Sequence, residues 1–138
     1  MGACVLILAV LAPSLSIAGG TVSLGEIDPL LRQQPALREF LTTSLDLNDT
    51  VMAAIRFGPQ FEHLNGGRMG PYMIEARPKG SKAGRPVELI LCTEARFVDE
   101  AGRVVESEVK ATRVEEKLTA VMIREVGSLP AVPTCPEK

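Results

Sequence analysis

Tryptophan is absent, histidine occurs once, and one Tyr and four Phe are the only aromatic residues. With 46% of the chain hydrophobic but only 4% aromatic, the interior has to be built from aliphatic side chains. Charge of one sign is missing too: 15 basic residues stand against 17 acidic ones, a formal net charge of −2, and the two signs alternate without blocks. A nucleic-acid partner is therefore not expected, since displacing counterions from phosphates requires a basic stripe. No apolar run is long enough to cross a bilayer, so no transmembrane span is expected in the mature chain.

No Asp, Glu, Lys or Arg precedes Glu26, and Val5 to Ala12 form a compact apolar run. Pro13 breaks it, and Ser16-Ile17-Ala18 places small residues where a signal peptidase needs them. The expectation is a signal peptide over 1–18, cleavage after Ala18, and a single small domain over 19–138 that is periplasmic or secreted. The segment departs from the usual pattern in opening with Met1-Gly2-Ala3-Cys4, which supplies only the α-amine as positive charge. Lipid attachment at Gly2 or Cys4 is disfavoured. Leu6 stands where a myristoylation motif has Ser or Thr, and no Cys follows the apolar run.

Losing that segment removes Cys4 and leaves Cys92 and Cys135, an even number in an oxidising compartment. The two are expected to pair, stapling the Pro-rich tail that holds Cys135 to a buried strand at Glu88 to Thr93. Two cysteines and one His do not make a tetrahedral set, so neither a metal nor a cofactor is expected.

Asp28-Pro29 and Gln34-Pro35 both read as helix starts, because Pro fits the first helical position. Leu37, Phe40, Leu41, Ser44 and Leu45 then recur with helical spacing, predicting one amphipathic helix over about 35–45 that Asn48-Asp49 ends. Val51, Ala53, Ile55 and Phe57 alternate as a half-buried strand does, and further strands are expected at Tyr72–Arg77, Val87–Val98 and Arg103–Val109. Asp99 to Gly102 has the composition of a hairpin turn. The last element is two-sided: Val114, Leu118, Val121 and Met122 fit a helix opened by a Thr112/Glu115 capping box, while 117–126 also reads as a strand, the preferred reading. The expected fold class is α+β, with one N-terminal helix packed on an antiparallel meander of four to five strands.

For chemistry there is little material. Glu62 and His63 are adjacent, but no nucleophile motif of the G-x-S-x-G type accompanies them, so a small hydrolase is the weakest of three readings. The stretch Asn65-Gly66-Gly67-Arg68-Met69-Gly70-Pro71-Tyr72 gathers three glycines, an Arg and the only Tyr, and marks Arg68 and Tyr72 as candidate ligand- or partner-binding residues. Its glycines lack both phosphate-loop spacings. The basic loop Lys79, Lys82, Arg85 reads as a solvated surface, and Asn48-Asp49-Thr50 as a formal glycosylation sequon. The leading expectation is an exported, non-catalytic binding domain that contacts a protein partner. The alternative is a small-molecule or lipid carrier with an apolar pocket between helix and sheet. In outline that architecture resembles cystatin-like and related folds, a resemblance that carries no motif, residue or function with it.

Overall fold

The computed structural model describes residues 20–56, 62, 64, 67–80 and 84–136. The expected signal segment, Phe57, His63 and Lys82 lie outside them. The described chain runs β1 (Gly20–Ser23), α1 (Leu24–Arg32), α2 (Pro35–Ser44), β2 (Leu45–Arg56), β3 (Arg68–Pro78), β4 (Val87–Val98), β5 (Val104–Val105), a 3₁₀ turn at Glu108–Lys110, and β6 (Arg113–Glu125). This overturns the expected single helix on four to five strands: the described residues are mostly sheet, six antiparallel strands with two short helices.

The missed helix has a local cause. Ser23 and Glu26 form a reciprocal capping box, the Glu26 N–H donating to Ser23 Oγ and the Ser23 N–H to the Glu26 carboxylate. Helix α1 therefore starts at Leu24, and Pro29, expected to open a helix, lies inside it. Helix α2 begins at Pro35 as expected, but Leu45 enters β2 directly, and Asn48-Asp49 sit within that strand. There Leu47 pairs with Ala76 and Val51 with Ile74, so residues 48–50 oppose Glu75 alone, and the Asn48 side chain accepts from the Thr50 N–H. The expected strand Arg103–Val109 shrinks to Val104–Val105, because Ser107 caps a 3₁₀ turn instead.

Leu89 pairs with both Ile74 and Ile123, and Val98 with both Val104 and Arg113. Strand β4 is therefore central, with β3 and β5 along one side and β6 along the whole of the other. The last element is a strand, as preferred from the sequence. Its register carries one extra residue: Cys92 pairs with Ala120 and Thr93 with Leu118, leaving Thr119 as a bulge whose hydroxyl donates to the Cys92 carbonyl. That residue shifts the alternation, so Leu118 and Val121 both join the core beneath the helices. The broken period of two explains why this segment also fitted a helix.

Side chains alternate between two covered faces. Val51, Tyr72, Ile74, Leu89 and Leu91 pack against Ile27, Leu30, Leu31 and Leu41 of the helices. On the opposite face Ala54, Met73, Ile90 and Cys92 pack with Met52, Ala120, Met122 and the tail residues Val132 and Cys135. Leu64 and Ala111 close a third, smaller cluster with Phe97, Val105 and Val114.

Four carboxylates are held below the ordinary carboxylate range by what they touch. Glu26 is held by the backbone N–H and hydroxyl of Ser23, Asp28 by Arg38 and Arg32, Asp99 by the backbone N–H groups of Arg103 and Ala101, and Glu115 by Arg113 and Arg96. Each binds a proton less readily folded than unfolded, so its contribution is complete above its unfolded pKa and is lost as pH falls through the depressed folded value. Thermal stability is expected to decline progressively below about pH 4.5. A flat melting temperature down to about pH 3 would contradict this reading.

Candidate functional site

The glycine-rich segment does bring chemistry-bearing groups together, though not as a surface loop. Between Ala53↔Tyr72 and Ile55↔Met69 strand β3 carries one more residue than β2, and this detour holds the cis Gly70–Pro71 peptide. It turns the Gly70 N–H toward β6, where Glu116 Oε2 accepts it at 3.0 Å. The same carboxylate accepts from the Tyr72 hydroxyl at 2.7 Å and the Thr93 hydroxyl at 2.8 Å. Glu116 thus joins three elements far apart in sequence, and charge-assisted bonds of this kind are stronger than neutral ones. Gly70 is needed for the approach: a Cβ there would lie 2.7 Å from Thr93 Oγ1.

Helix α1 supplies the other wall. Its first-turn Glu26, apolar Ile27 and Leu30, and the following Gln33 line a crevice of about 180 Å³ together with Tyr72 and Glu116. Gln33 grips the outer edge of β6 with both ends of its amide: Nε2 donates to the Glu116 carbonyl at 3.0 Å and Oε1 accepts from the Leu118 N–H at 2.8 Å. The amide thereby covers a short piece of an edge that would otherwise be open.

Of the two residues singled out in the sequence, Arg68 is half-buried at this corner. Its guanidinium packs over Gly20, where a Cβ would come within 2.8 Å of Nε, and its positive charge acts on Glu26. Tyr72 is 2% exposed and belongs to the core, presenting only its hydroxyl to Glu116. Glu62 is exposed and ion-paired with Arg56, and its expected companion His63 lies outside the described residues. Lys79 donates to the Thr42 carbonyl at 2.7 Å and so fastens α2 to the end of β3. Glu26, Gln33 and Glu116 were not legible as site residues, because their partners are distant in the chain; only the Ser23/Glu26 spacing carried a local signal.

Cys92 and Cys135 stand at disulfide distance, with S–S 2.03 Å, and join the buried centre of β4 to the tail. Arg124 adds a second fastening. Paired with Glu88 across β6 and β4, its guanidinium donates to the carbonyls of Pro130 at 2.8 Å and Ala131 at 3.1 Å. Among the described residues no helix is long and apolar enough to cross a membrane, and no three His, Cys, Asp or Glu side chains form a metal set. The chain matches no protein-family model, no curated protein and no solved structure.

Proposed function

We propose that the mature chain is an exported, periplasmic or secreted binding domain without catalytic activity, and that its partner is a protein. A cysteine pair at disulfide distance supports the compartment, since such bonds persist where the environment is oxidising. The interior supports a contact surface over a carrier cavity. Ile27, Leu31, Leu41, Tyr72 and Leu89 fill the space between helices and sheet, and the crevice of about 180 Å³ there falls short of ordinary ligand pockets.

One observation carries the reading furthest. Beyond the Gln33 amide no described strand pairs with the outer edge of β6. There Ile123 is 57% exposed, and Val126 and Leu129, exposed at 44% and 85%, follow around the turn closed by Glu125 and Ser128. An open edge beside apolar side chains suits a partner that contributes an extended strand: main-chain hydrogen bonds give affinity, and Ile123 with its neighbours gives selectivity. Arg68, at the corner beside Glu26, is the proposed polar contact, while the Tyr72 hydroxyl holds Glu116 on β6 nearby.

A photo-cross-linking side chain at position 123 is expected to capture one partner of defined mass in the protein's own extracytoplasmic fraction. The same group at Val109, also apolar and more exposed but on the 3₁₀ turn, should not. Ile123→Lys should weaken that complex by about ten-fold or more, as loss of an interfacial anchor does. Its stability should stay within about 0.5 kcal/mol of the parent, as for other exposed positions. Equal capture from both positions, or none, would refute the edge as the contact.

A further inference from the structure

Two side chains close the outer edge of β6, one at each end of a short open stretch. Upstream, the Gln33 amide takes the Glu116 carbonyl and the Leu118 N–H. A parallel strand would use that pair of groups on a single residue opposite Lys117, and an antiparallel strand would use them on two residues. A strand of either direction is therefore stopped there. Downstream, the Glu125 carbonyl accepts from the N–H and the hydroxyl of Ser128, at 3.2 and 2.6 Å. Both stops stand at chain reversals: Gln33 caps the end of α1 two residues before Pro35 opens α2, and Ser128 follows Gly127, whose φ is +89°.

The extra residue at Thr119 sets what lies between them. In an antiparallel pair the N–H and C=O of one residue point to the same side, and successive residues alternate. The Gln33 bonds mark Glu116 and Leu118 as turned outward, and the bulge shifts the phase, so beyond it Val121, Ile123 and Glu125 turn outward. Among the described residues nothing bonds to the outward main-chain groups of Val121 and Ile123 or to the Glu125 N–H. The side chains of the same three residues share one face. Val121 packs into the core, Ile123 is 57% exposed, and Glu125 is exposed with no ion-pair partner among the described residues.

We infer that Gln33 and Ser128 bracket a docking window at Val121–Glu125, and that Gln33 sets the register of the partner segment that enters it. The inference rests on the edge contact proposed above. At about 3.3 Å per residue the window is about 13 Å long and takes an extended segment of about five residues. That segment carries an apolar residue beside Ile123 and, two positions along, a Lys or Arg beside Glu125. A slip of one residue would turn both side chains to the wrong face, and a slip toward Leu118 would meet main-chain groups that Gln33 already occupies. Gln33 is thus a positioning residue, holding the partner in place without being its anchor.

The test joins selection from a phage-displayed library of random seven-residue peptides to amide exchange on the disulfide-intact protein. In the free parent the Leu118 N–H should be protected, while those of Val121 and Ile123 exchange freely. Gln33→Ala should speed exchange at Leu118 by about ten-fold, and Gln34→Ala, one residue further on, should not. Peptides selected on the parent should carry a basic residue two positions from an apolar one. Bound, they should slow exchange at Val121, Ile123 and Glu125 and leave Leu118 unchanged. On Gln33→Ala the same peptides should slow Leu118 as well, because the edge they can pair with has lengthened. Thermal melts check that both variants keep the fold. An absence of enrichment, or protection only away from β6, would overturn the edge contact and the window together. Protection that already reaches Leu118 from its unprotected state in the parent, or an identical footprint on parent and Gln33→Ala, would overturn the bracket alone.

Discussion

Replacing Cys92 and Cys135 together by serine is expected to lower the free energy of unfolding by about 4 kcal/mol. The two cysteines are 43 residues apart, and in the chain-entropy model releasing a loop of that size restores roughly this much freedom to the unfolded chain. Small domains have only about 5–15 kcal/mol to lose. The effect should be both local and global. The tail covers part of the methionine-bearing face, and without the bridge it is held by the Arg124 bonds to Pro130 and Ala131 and by the packing of Val132. Guanidinium unfolding measures the total, and amide exchange at 132–135 reports the freed tail. A loss below about 1 kcal/mol would mean that the Arg124 clamp suffices and that the bridge adds little.

Glu116→Ala should be comparably damaging, at about 3–5 kcal/mol, because it removes one acceptor from three donors at once. The Gly70 N–H, the Tyr72 hydroxyl and the Thr93 hydroxyl all converge on that carboxylate at the junction of β3, β4 and β6. Tyr72→Phe, which removes a single donor and leaves the ring packed, should cost only about 1 kcal/mol. Glu116→Gln should fall between them, since one carboxylate oxygen becomes an amide that faces donors rather than accepting from them. Urea unfolding of the three variants under one set of conditions establishes the order. If Glu116→Ala and Tyr72→Phe lose equal amounts, the carboxylate is not the hub described above.

What was readable from the chain follows the range of the interactions involved. The longest apolar strand was expected at Val87–Val98 and spans those residues, and the Asp99–Gly102 turn closes with Gly102 at φ +84°. Both depend on neighbours in sequence. The cysteine pairing followed from counting after the signal segment was set aside. Helix α1 was misplaced because Pro29 was weighed as a helix opener, while the capping box that opens at Ser23, six residues earlier, carried the stronger start signal. Strand β1 went unseen because only Val22 of its four residues turns inward. The Glu116 cluster had no local signature at all: Tyr72 lies 44 residues away from it and Thr93 lies 23. Arg68 and Tyr72 were marked for standing together on one loop, yet folding sends them different ways, one toward Glu26 and Gly20 and the other into the core.

The single extra residue at Thr119 also governs how the molecule tolerates changes in length. Upstream of it the even-numbered positions of β6 face the helices, and downstream the odd-numbered ones do, so both halves meet their proper layers only because of that offset. Removing one residue there would exchange the two sides of everything beyond it: Met122 and Arg124 would point toward the helices, and Val121 and Ile123 toward the tail. Arg124 would lose Glu88 and the tail carbonyls together. Insertions and deletions in the connection between Pro78 and Val87, outside both strands, are expected to carry no such penalty. Divergence in length among copies of this fold is therefore expected to gather at that connection and to avoid the middle of the last strand.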